Sequence, residues 1–118
     1  MKEKIFVNFT NHPSMNWGDA QLNAALEYGW VVDVAFPMVD EGGNTAYIEE
    51  LANEYLDKIM SYHPVAVLCQ GEFCLAFKVI SRLKECGIPV MAACSKRMVK
   101  EKGSIKEVEF CFCQFREY

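Results

Sequence analysis

The chain has 118 residues, of which 52% are hydrophobic and 24% are charged, and its formal net charge is −4. This composition is typical of a globular fold and excludes wholesale disorder, so we expect residues 1–118 to form a single domain. The negative balance argues against duplex nucleic acid as a partner, because binding to the phosphate backbone depends on dense lysine and arginine. It leaves room for a small anionic ligand that a few local cations hold.

Apolar periodicity predicts strands that alternate with helices. The predicted strands cover residues 5–9, 30–36, 65–69 and 88–93, and the predicted helices cover residues 19–27, 45–62 and 73–86. A β-hairpin is predicted over residues 98–116, with its turn at Gly103 and Ser104. Strand–helix–strand units imply a parallel sheet with right-handed crossovers. We therefore predict an α/β fold, a small Rossmann-like three-layer sandwich with a mostly parallel sheet and a C-terminal β-hairpin.

The second arm of this hairpin, residues 108–115, is apolar at nearly every position apart from Glu109 and Gln114. A strand with one face in water would alternate apolar with polar residues. This arm therefore either lies inside the sheet or presents its second face to a partner.

No segment of the sequence is typical of a secretion signal or a membrane span. Residues 1–4 lead directly into a strand that is too short for the apolar region of a signal peptide. No apolar run approaches the ~20 residues that a helix needs to cross a bilayer. We predict a cytoplasmic protein that has no membrane partner.

Six cysteines invite a metal or disulfide interpretation, but their spacing does not support it. No Cys-x-x-Cys pair occurs in the chain. Cys111 and Cys113 would offer two thiols on one face of a strand, whereas a zinc site needs about four ligands. We predict buried, reduced thiols, no metal site and no cofactor.

Three polar clusters follow predicted parallel strands, and the carboxyl ends of such strands meet at one edge of a sheet. The loop after residues 5–9 is crowded with hydrogen-bonding groups, one imidazole and one indole. A carboxamide, a glycine and a carboxylate (Gln70, Gly71 and Glu72) follow residues 65–69, and a hydroxyl with two cations follows residues 88–93. The predicted site residues are Thr10, Asn11, His12, Ser14, Trp17, Gly71, Glu72, Ser95, Lys96 and Arg97.

The first cluster also has a structural interpretation. His12 precedes a proline and can simply set an extended turn. Thr10, Asn11 and Ser14 can cap backbone groups, as such residues do in many turns. Trp17 can pack against the start of the first helix. The density of polar groups nevertheless favours a ligand site.

The other two clusters have alternatives of the same kind. Gly71 can serve a tight turn, and Glu72 can stabilise the start of a helix. Lys96 and Arg97 can simply be solvent-exposed residues that cap the end of a strand. In a functional interpretation they hold a phosphate, Arg97 through its planar guanidinium and Lys96 as a point charge.

Several standard chemistries lack their motifs in this chain. No glycine-rich dinucleotide or P-loop sequence follows a strand. No nucleophile elbow occurs either. The residues by themselves therefore predict a ligand site rather than a particular reaction.

The three clusters and the end of the chain together resemble the CARF-like, CRISPR-associated superfamily, in particular its small single-domain members proposed as ring nucleases. The matching segments are residues 8–17, residues 71–72 with the phenylalanine-containing helix after them, residues 92–99 and residues 112–118. The resemblance implies a homodimer that binds cyclic oligoadenylate, a second messenger of antiviral defence, across the dimer axis. It places on that ligand the residues Thr10, Asn11, His12 and Ser14, with Ser95, Lys96 and Arg97 opposite them.

The resemblance also implies a reaction, the opening of the cyclic ligand. A 2′-hydroxyl of the ligand would attack the neighbouring phosphate, with His12 as acid or base, because imidazole is the side chain that ordinarily changes charge near neutral pH. Lys96 and Arg97 would stabilise the negative charge that develops. Three alternatives stay open: a module that binds the ligand without cleaving it, an interaction domain with no small-molecule ligand, and an enzyme that uses a free nucleotide.

Overall fold

The computed structural model describes residues 3–118. Its elements, in chain order, are β1 (Ile5–Phe9), α1 (Asp19–Leu26), β2 (Trp30–Asp33), α2 (Thr45–Met60), β3 (Ala66–Cys69), α3 (Phe73–Glu85), β4 (Val90–Lys102) and β5 (Ile105–Glu117). A short 3-10 turn, Ser14–Asn16, lies between β1 and α1. Within the described residues, none of the helices has the length and apolar character that a bilayer crossing requires.

The five strands form one sheet in the order β2-β1-β3-β4-β5. The first four strands run parallel, and β5 pairs antiparallel with β4. This arrangement confirms the predicted α/β class, the mostly parallel sheet and the C-terminal hairpin. It also puts β5 at an edge, so the alternative in which this apolar strand lies inside the sheet is wrong.

Apolar residues on both faces of the sheet build the core, because successive residues of a strand point to opposite faces. On one face, Val7 and Phe9 pack against helices α2 and α3. On the other face, Phe6 packs with Ala25 of α1 and with Phe115 of β5. The ring centroids of Phe6 and Phe115 are 5.3 Å apart. Since β3 and β4 separate these two strands in the sheet, the sheet must curl to bring them together.

Polar residues begin α2 and tie it to α3. The side chain of Asn44 accepts a hydrogen bond of 2.9 Å from the N–H of Tyr47 and caps the first turn of α2. One turn further along, Glu49 forms ion pairs with Lys78 and Arg82 of α3. The two helices therefore sit side by side on one face of the sheet.

Strand β2 is shorter than predicted, because it ends at Asp33 rather than at residue 36. Its neighbour in the sheet is β1, which itself ends at Phe9. Two more main-chain hydrogen bonds follow, from the N–H of Val34 to the carbonyl of Asn8 and from the N–H of Phe36 to the carbonyl of Thr10. Phe36 then packs on Phe9, with ring centroids 4.7 Å apart, and closes the end of the core.

Strand β4 is longer than predicted, and this changes the position of the third polar cluster. Val90 and Met91 pair with β3, and the rest of β4 pairs with β5 up to its last residue. Ser95, Lys96 and Arg97 therefore lie within a strand rather than in a loop after one. They belong to a two-stranded arm, residues 92–116, that extends past the end of β3.

The arm ends in a two-residue turn at Gly103 and Ser104, as predicted. Gly103 has a φ of 62°. Glycine reaches this left-handed region without steric cost, and tight hairpin turns require it. The turn chemistry of the sequence is therefore sufficient to place this end of the hairpin.

The prediction that the cysteines are buried is wrong for five of the six. Cys69 lies in the core, where burial raises the pKa of its thiol to about 12. Cys94 is half-buried, and the exposed ones are Cys74, Cys86, Cys111 and Cys113. All six are free thiols. Apolar neighbours in sequence do not bury a residue when the strand or helix that carries it has a face in solvent.

Truncation of the core at Phe9 should destabilise the fold strongly. Phe9 is fully buried, and its ring packs on Phe36 and Tyr55. Phe9→Ala should lower the free energy of unfolding, measured by urea denaturation, by about 3–5 kcal/mol because it leaves a cavity. Met15→Ala, at a side chain that is 86% exposed, is the control and should change it by less than about 0.5 kcal/mol. Similar losses for the two variants would contradict this core.

Candidate functional site

The polar loop after β1, residues 10–17, is held in place from two strand ends. The side chain of Asn8 in β1 is buried, and its Nδ2 donates to the main-chain oxygen of His12 at 2.9 Å and to Oδ1 of Asp33 at 3.0 Å. Asp33, the last residue of β2, also accepts hydrogen bonds from the main-chain N–H and the hydroxyl of Ser14. The two side chains thus fasten the loop to the sheet.

Thr10 and Trp17 belong to the same network. The hydroxyl of Thr10 donates to Oδ1 of Asn8 at 2.8 Å and accepts from the N–H of His12 at 3.1 Å. The indole N–H of Trp17 donates to the main-chain oxygen of His12 at 3.1 Å. The polar atoms of Thr10, Ser14 and Trp17 therefore bond to the loop or to the strand ends beneath it, as their structural interpretation requires.

A groove of about 830 Å³ opens between this loop, the start of α1 and the arm. Its volume lies in the range that is typical of small-molecule sites. The loop and α1 line one side and the arm lines the other, with the end of β3 at the bottom. The lining includes Thr10, His12, Asn16, Trp17, Asp19, Leu68, Gln70, Ala93, Ser95, Phe110, Cys111 and Phe112.

His12 lines the groove, and hydrogen bonds hold its main chain. Its main-chain N–H and oxygen make hydrogen bonds with the side chains of Asn8, Thr10 and Trp17. The imidazole itself is exposed, and within residues 3–118 it makes no hydrogen bond. It is therefore an imidazole that a ligand can reach, on a main chain held by three side chains.

The arm divides the predicted cations between its two faces. Ser95 and Arg97 are two residues apart in β4 and share a face, whereas Lys96 lies on the opposite face. Ser95 pairs with Phe112 and Arg97 pairs with Phe110, and both of these phenylalanines line the groove. Arg97 is thus the member of the cation pair on the groove side, one residue pair beyond Ser95.

Gly71 and Glu72 serve the start of α3 and not the groove. A Cβ on Gly71 would lie 2.5 Å from ring atoms of Phe36, so only glycine permits this close packing. The carboxylate of Glu72 accepts hydrogen bonds from the N–H groups of Leu75 at 2.8 Å and Cys74 at 2.9 Å. The bond from Leu75 holds the pKa of this carboxyl below its ordinary value. Glu72 is therefore a helix cap.

Four other predicted residues lie outside the groove lining: Asn11, Ser14, Lys96 and Arg97. Asn11 is exposed, and Lys96 is on the face of the arm opposite Ser95. The groove thus brings together Thr10, His12, Trp17 and Ser95 from the predicted set. Of the second cluster, Gln70 lines the groove, whereas Gly71 and Glu72 do not.

Asn8 and Asp33 organise this region but were missing from the predicted site, and Gln70 was part of the second polar cluster without being among the predicted site residues. Asn8 is a polar residue inside an apolar strand, and Asp33 is the polar residue opposite it in β2, so their sequence positions held the signal. The carboxamide oxygen of Gln70 accepts the N–H of Ala93 at 2.8 Å. Gln70 thereby joins β3 to β4 just where their main-chain pairing has ended. Its position directly after β3 was the available signal.

The groove combines aromatic rings with neutral polar groups. Asp19 contributes a carboxylate, and among residues 3–118 no lysine or arginine lines the groove. Helix α1 begins after Gly18, which has no side chain to accept hydrogen bonds from the first-turn N–H groups. Such N–H groups favour anions. In the same part of the chain, no three His, Cys, Asp or Glu residues are grouped so that they could hold a metal ion.

A protein-family model matches nearly the whole chain. It is described as the uncharacterized protein MJ1673 family, and the match covers residues 4–116. No curated protein and no solved structure matches the chain. The matched range includes the polar loop, the groove and the arm, and the description of the family states no activity.

Removal of the Glu72 cap should lower stability in a pH-dependent way. At neutral pH, Glu72→Ala should reduce the free energy of unfolding by about 1 kcal/mol, because two N–H groups lose their acceptor. The pKa of Glu72 is lower in the folded state than in the unfolded state, so its contribution is present above the unfolded pKa. It is lost as the pH falls through the folded pKa.

Urea denaturation at pH 7 and at pH 3 measures this effect, and the difference between variant and parent should shrink at the lower pH. Glu85→Ala, an exposed position at the other end of α3, is the control. A loss that is equal at both pH values would contradict a cap that acts through its charge.

Proposed function

The chain belongs to the uncharacterized protein MJ1673 family, and we propose that it is a small CARF-like protein that binds cyclic oligoadenylate in the groove. The observation that carries the proposal is a groove of nucleotide size whose lining combines two phenylalanines, the exposed Phe110 and the half-buried Phe112, with neutral hydrogen-bonding groups. The proposal includes a homodimer, a Rossmann-like three-layer arrangement of sheet and helices, and a role in antiviral defence. It rests on the resemblance of the polar loop and the arm together with this groove.

The aromatic side of the groove supports a ligand with bases. Phe110 is 67% exposed and lies beside Phe112 on the groove face of the arm. Trp17 also lines the groove, and its indole is held by its hydrogen bond to the main-chain oxygen of His12. Nucleobases stack on such rings with about 1–3 kcal/mol for each base.

The polar side of the groove supports adenine and ribose. Asn16 and Gln70 offer carboxamides, which both donate and accept hydrogen bonds, and Ser95 offers a hydroxyl. Adenine carries donors and acceptors on its edges, and ribose carries hydroxyls that do both. These groups can therefore read the ligand without any charged side chain.

Phosphates of the ligand have two favourable neighbours. The N–H groups of the first turn of α1 lie at the groove, and Arg97 lies on the same face of the arm as Ser95. Asp19 repels a phosphate on its side of that turn. We therefore place the phosphates of the ring toward the arm rather than over Asp19.

In the enzymatic form of the proposal, the chain opens the ring. A ligand 2′-oxygen forms a bond to the adjacent phosphorus, the bond from phosphorus to the 5′-oxygen breaks, and the products are a 2′,3′-cyclic phosphate and a 5′-hydroxyl. His12 accepts the proton of the 2′-hydroxyl, and the departing 5′-oxygen takes up a proton. Arg97 stabilises the charge on the phosphorane, whereas Lys96 stands on the other face of the arm.

Binding of the ring should depend on Phe110. Isothermal calorimetry with cyclic tetra-adenylate and cyclic hexa-adenylate should detect saturable binding of at least one of them. Phe110→Ala should weaken it by about tenfold or more, because a stacked base loses its ring. Phe77→Ala is the matched control, since Phe77 is 68% exposed but lies on α3 outside the groove.

AMP and ATP serve as comparison ligands in the same assay. Saturable binding of a free nucleotide with none of either ring would contradict the proposal and favour an enzyme of nucleotide metabolism. No binding of any of these ligands would favour an interaction domain instead.

Cleavage should depend on His12. Chromatography of the incubated ring should show linear product with the parent chain, and His12→Ala should reduce its rate by about 10²-fold or more while the affinity stays similar. His63→Asn is the control, because His63 lies in the turn after α2, where asparagine tolerates the positive φ of 50°. Saturable binding without linear product from the parent chain would leave a module that sequesters the ligand.

A further inference from the structure

Strand β5 presents a long edge to solvent. It is the last strand of the sheet and has 13 residues, and in residues 3–118 no strand lies on its outer side. Val108 and Phe110 are 46% and 67% exposed. A long apolar edge is a template for pairing with another chain, and proteins usually blunt such edges unless a partner covers them.

We propose that this edge pairs with β5 of a second copy of the chain, antiparallel, about a two-fold axis at Cys111. The inference rests on the homodimer of the proposed function and identifies its interface, but it does not depend on the ligand. A two-fold axis brings the same patch of both copies together. A strand that pairs with itself must therefore be complementary to its own reverse, and β5 meets this condition.

A β-bulge in the arm decides which residues can face each other. The register of β4 and β5 shifts between Cys94 and Ser95, which leaves Cys113 as an extra residue in β5. As a result Phe112 and Phe115 lie on the same face although they are three residues apart, with ring centroids 4.9 Å from each other. Before Cys113 the even-numbered residues of β5 lie on the groove face, and after Cys113 the odd-numbered residues do.

With the axis at Cys111, apolar residues of one copy meet apolar residues of the other. Phe110 lies opposite the partner's Phe112, and Val108 lies opposite the partner's Phe115. Both pairs are on the groove face of the arm. Each occurs twice about the axis, so four apolar side chains from each copy contribute to one continuous strip.

The charges near the two ends of β5 match in the same register. Lys106 lies opposite the partner's Glu117, and Glu107 lies opposite the partner's Arg116. Without the bulge, the same axis would place Lys106 opposite the partner's Arg116 and Glu107 opposite the partner's Phe115. Opposite charges in facing cross-strand positions stabilise a sheet, and like charges destabilise it.

Two-fold axes at the neighbouring residues do not pair these charges. An axis at Phe110 would place Lys106 opposite the partner's Phe115, and an axis at Phe112 would place Val108 opposite the partner's Glu117. Each of these arrangements leaves a charged residue facing an apolar one. The pattern of charge and bulge therefore favours Cys111.

This interface would join the two grooves. Phe110, Cys111 and Phe112 line the groove of each copy, so an axis at Cys111 passes beside both grooves. Phe110 of one copy lies next to the partner's Phe112, so the aromatic side of the groove is continuous across the interface. Each ligand site then contains side chains of both copies, which suits a ligand that has a symmetric ring.

A charge swap tests the register with the full chain. Sedimentation should show a dimer, and Glu107→Arg or Arg116→Glu alone should raise its dissociation constant by about tenfold or more, since each new like-charge pair occurs twice. The double variant should return to within about threefold of the parent. Glu109→Arg is the matched control, because Glu109 faces the partner's Gln114, which carries no charge. A double variant no better than either single variant would overturn the register.

Oxidation tests the position of the axis. Mild oxidation should link two parent chains through Cys111, because this residue faces itself across the axis. Cys111→Ser should abolish the linked dimer on a non-reducing gel, and Cys113→Ser should retain it. The opposite pattern would overturn the axis, and so would a link that survives both changes.

The outcomes separate this inference from the proposed function. A dimer that ignores the charge swap and is not linked through Cys111 overturns the interface and leaves the homodimer. A chain that is monomeric at micromolar concentration overturns both the interface and the homodimer. Absence of ligand binding in a dimer with the expected responses overturns the proposed ligand and leaves the interface.

Discussion

The unequal length of β3 and β4 is the constraint on which the rest of the structure depends. β3 ends at Cys69, whereas β4 continues to Lys102. Main-chain hydrogen bonds of β4 beyond Met91 must find partners, and β5 supplies them. Both faces of the resulting arm and the outer edge of β5 then have no further sheet against them. The groove and the unpaired edge of β5 both follow from this difference in length between β3 and β4.

A second constraint is the buried carboxamide of Asn8. A buried polar side chain is costly unless it is hydrogen-bonded, and Asn8 is bonded to Asp33, Thr10 and the main chain of His12. The same bonds determine the course of the polar loop. Most of the hydrogen-bonding capacity of the loop is therefore used internally. What it offers to a ligand is the imidazole of His12, the carboxamide of Asn16 and the ring of Trp17.

The apolar character of β5 has a common explanation in these two surfaces. Phe110 and Phe112 line the groove, and the same residues belong to the edge that we propose to be the dimer interface. In the proposed dimer, one face of β5 contacts a ligand and its edge contacts a second strand. Both contacts favour apolar residues, so β5 does not alternate apolar with polar residues. Apart from Glu109, its charged residues lie near the ends, at Lys106, Glu107, Arg116 and Glu117.

The sequence by itself determined the order of strands and helices, the parallel sheet and the hairpin turn, because periodicity and glycine chemistry are local properties. It also located the loop of His12 and the cap position of Glu72, whose structural alternative proved correct. Only the tertiary structure decided that β4 runs on past β3 and that Lys96 and Arg97 lie on opposite faces of the arm. Strand length and burial depend on which neighbours a strand finds, and no local pattern contains that information.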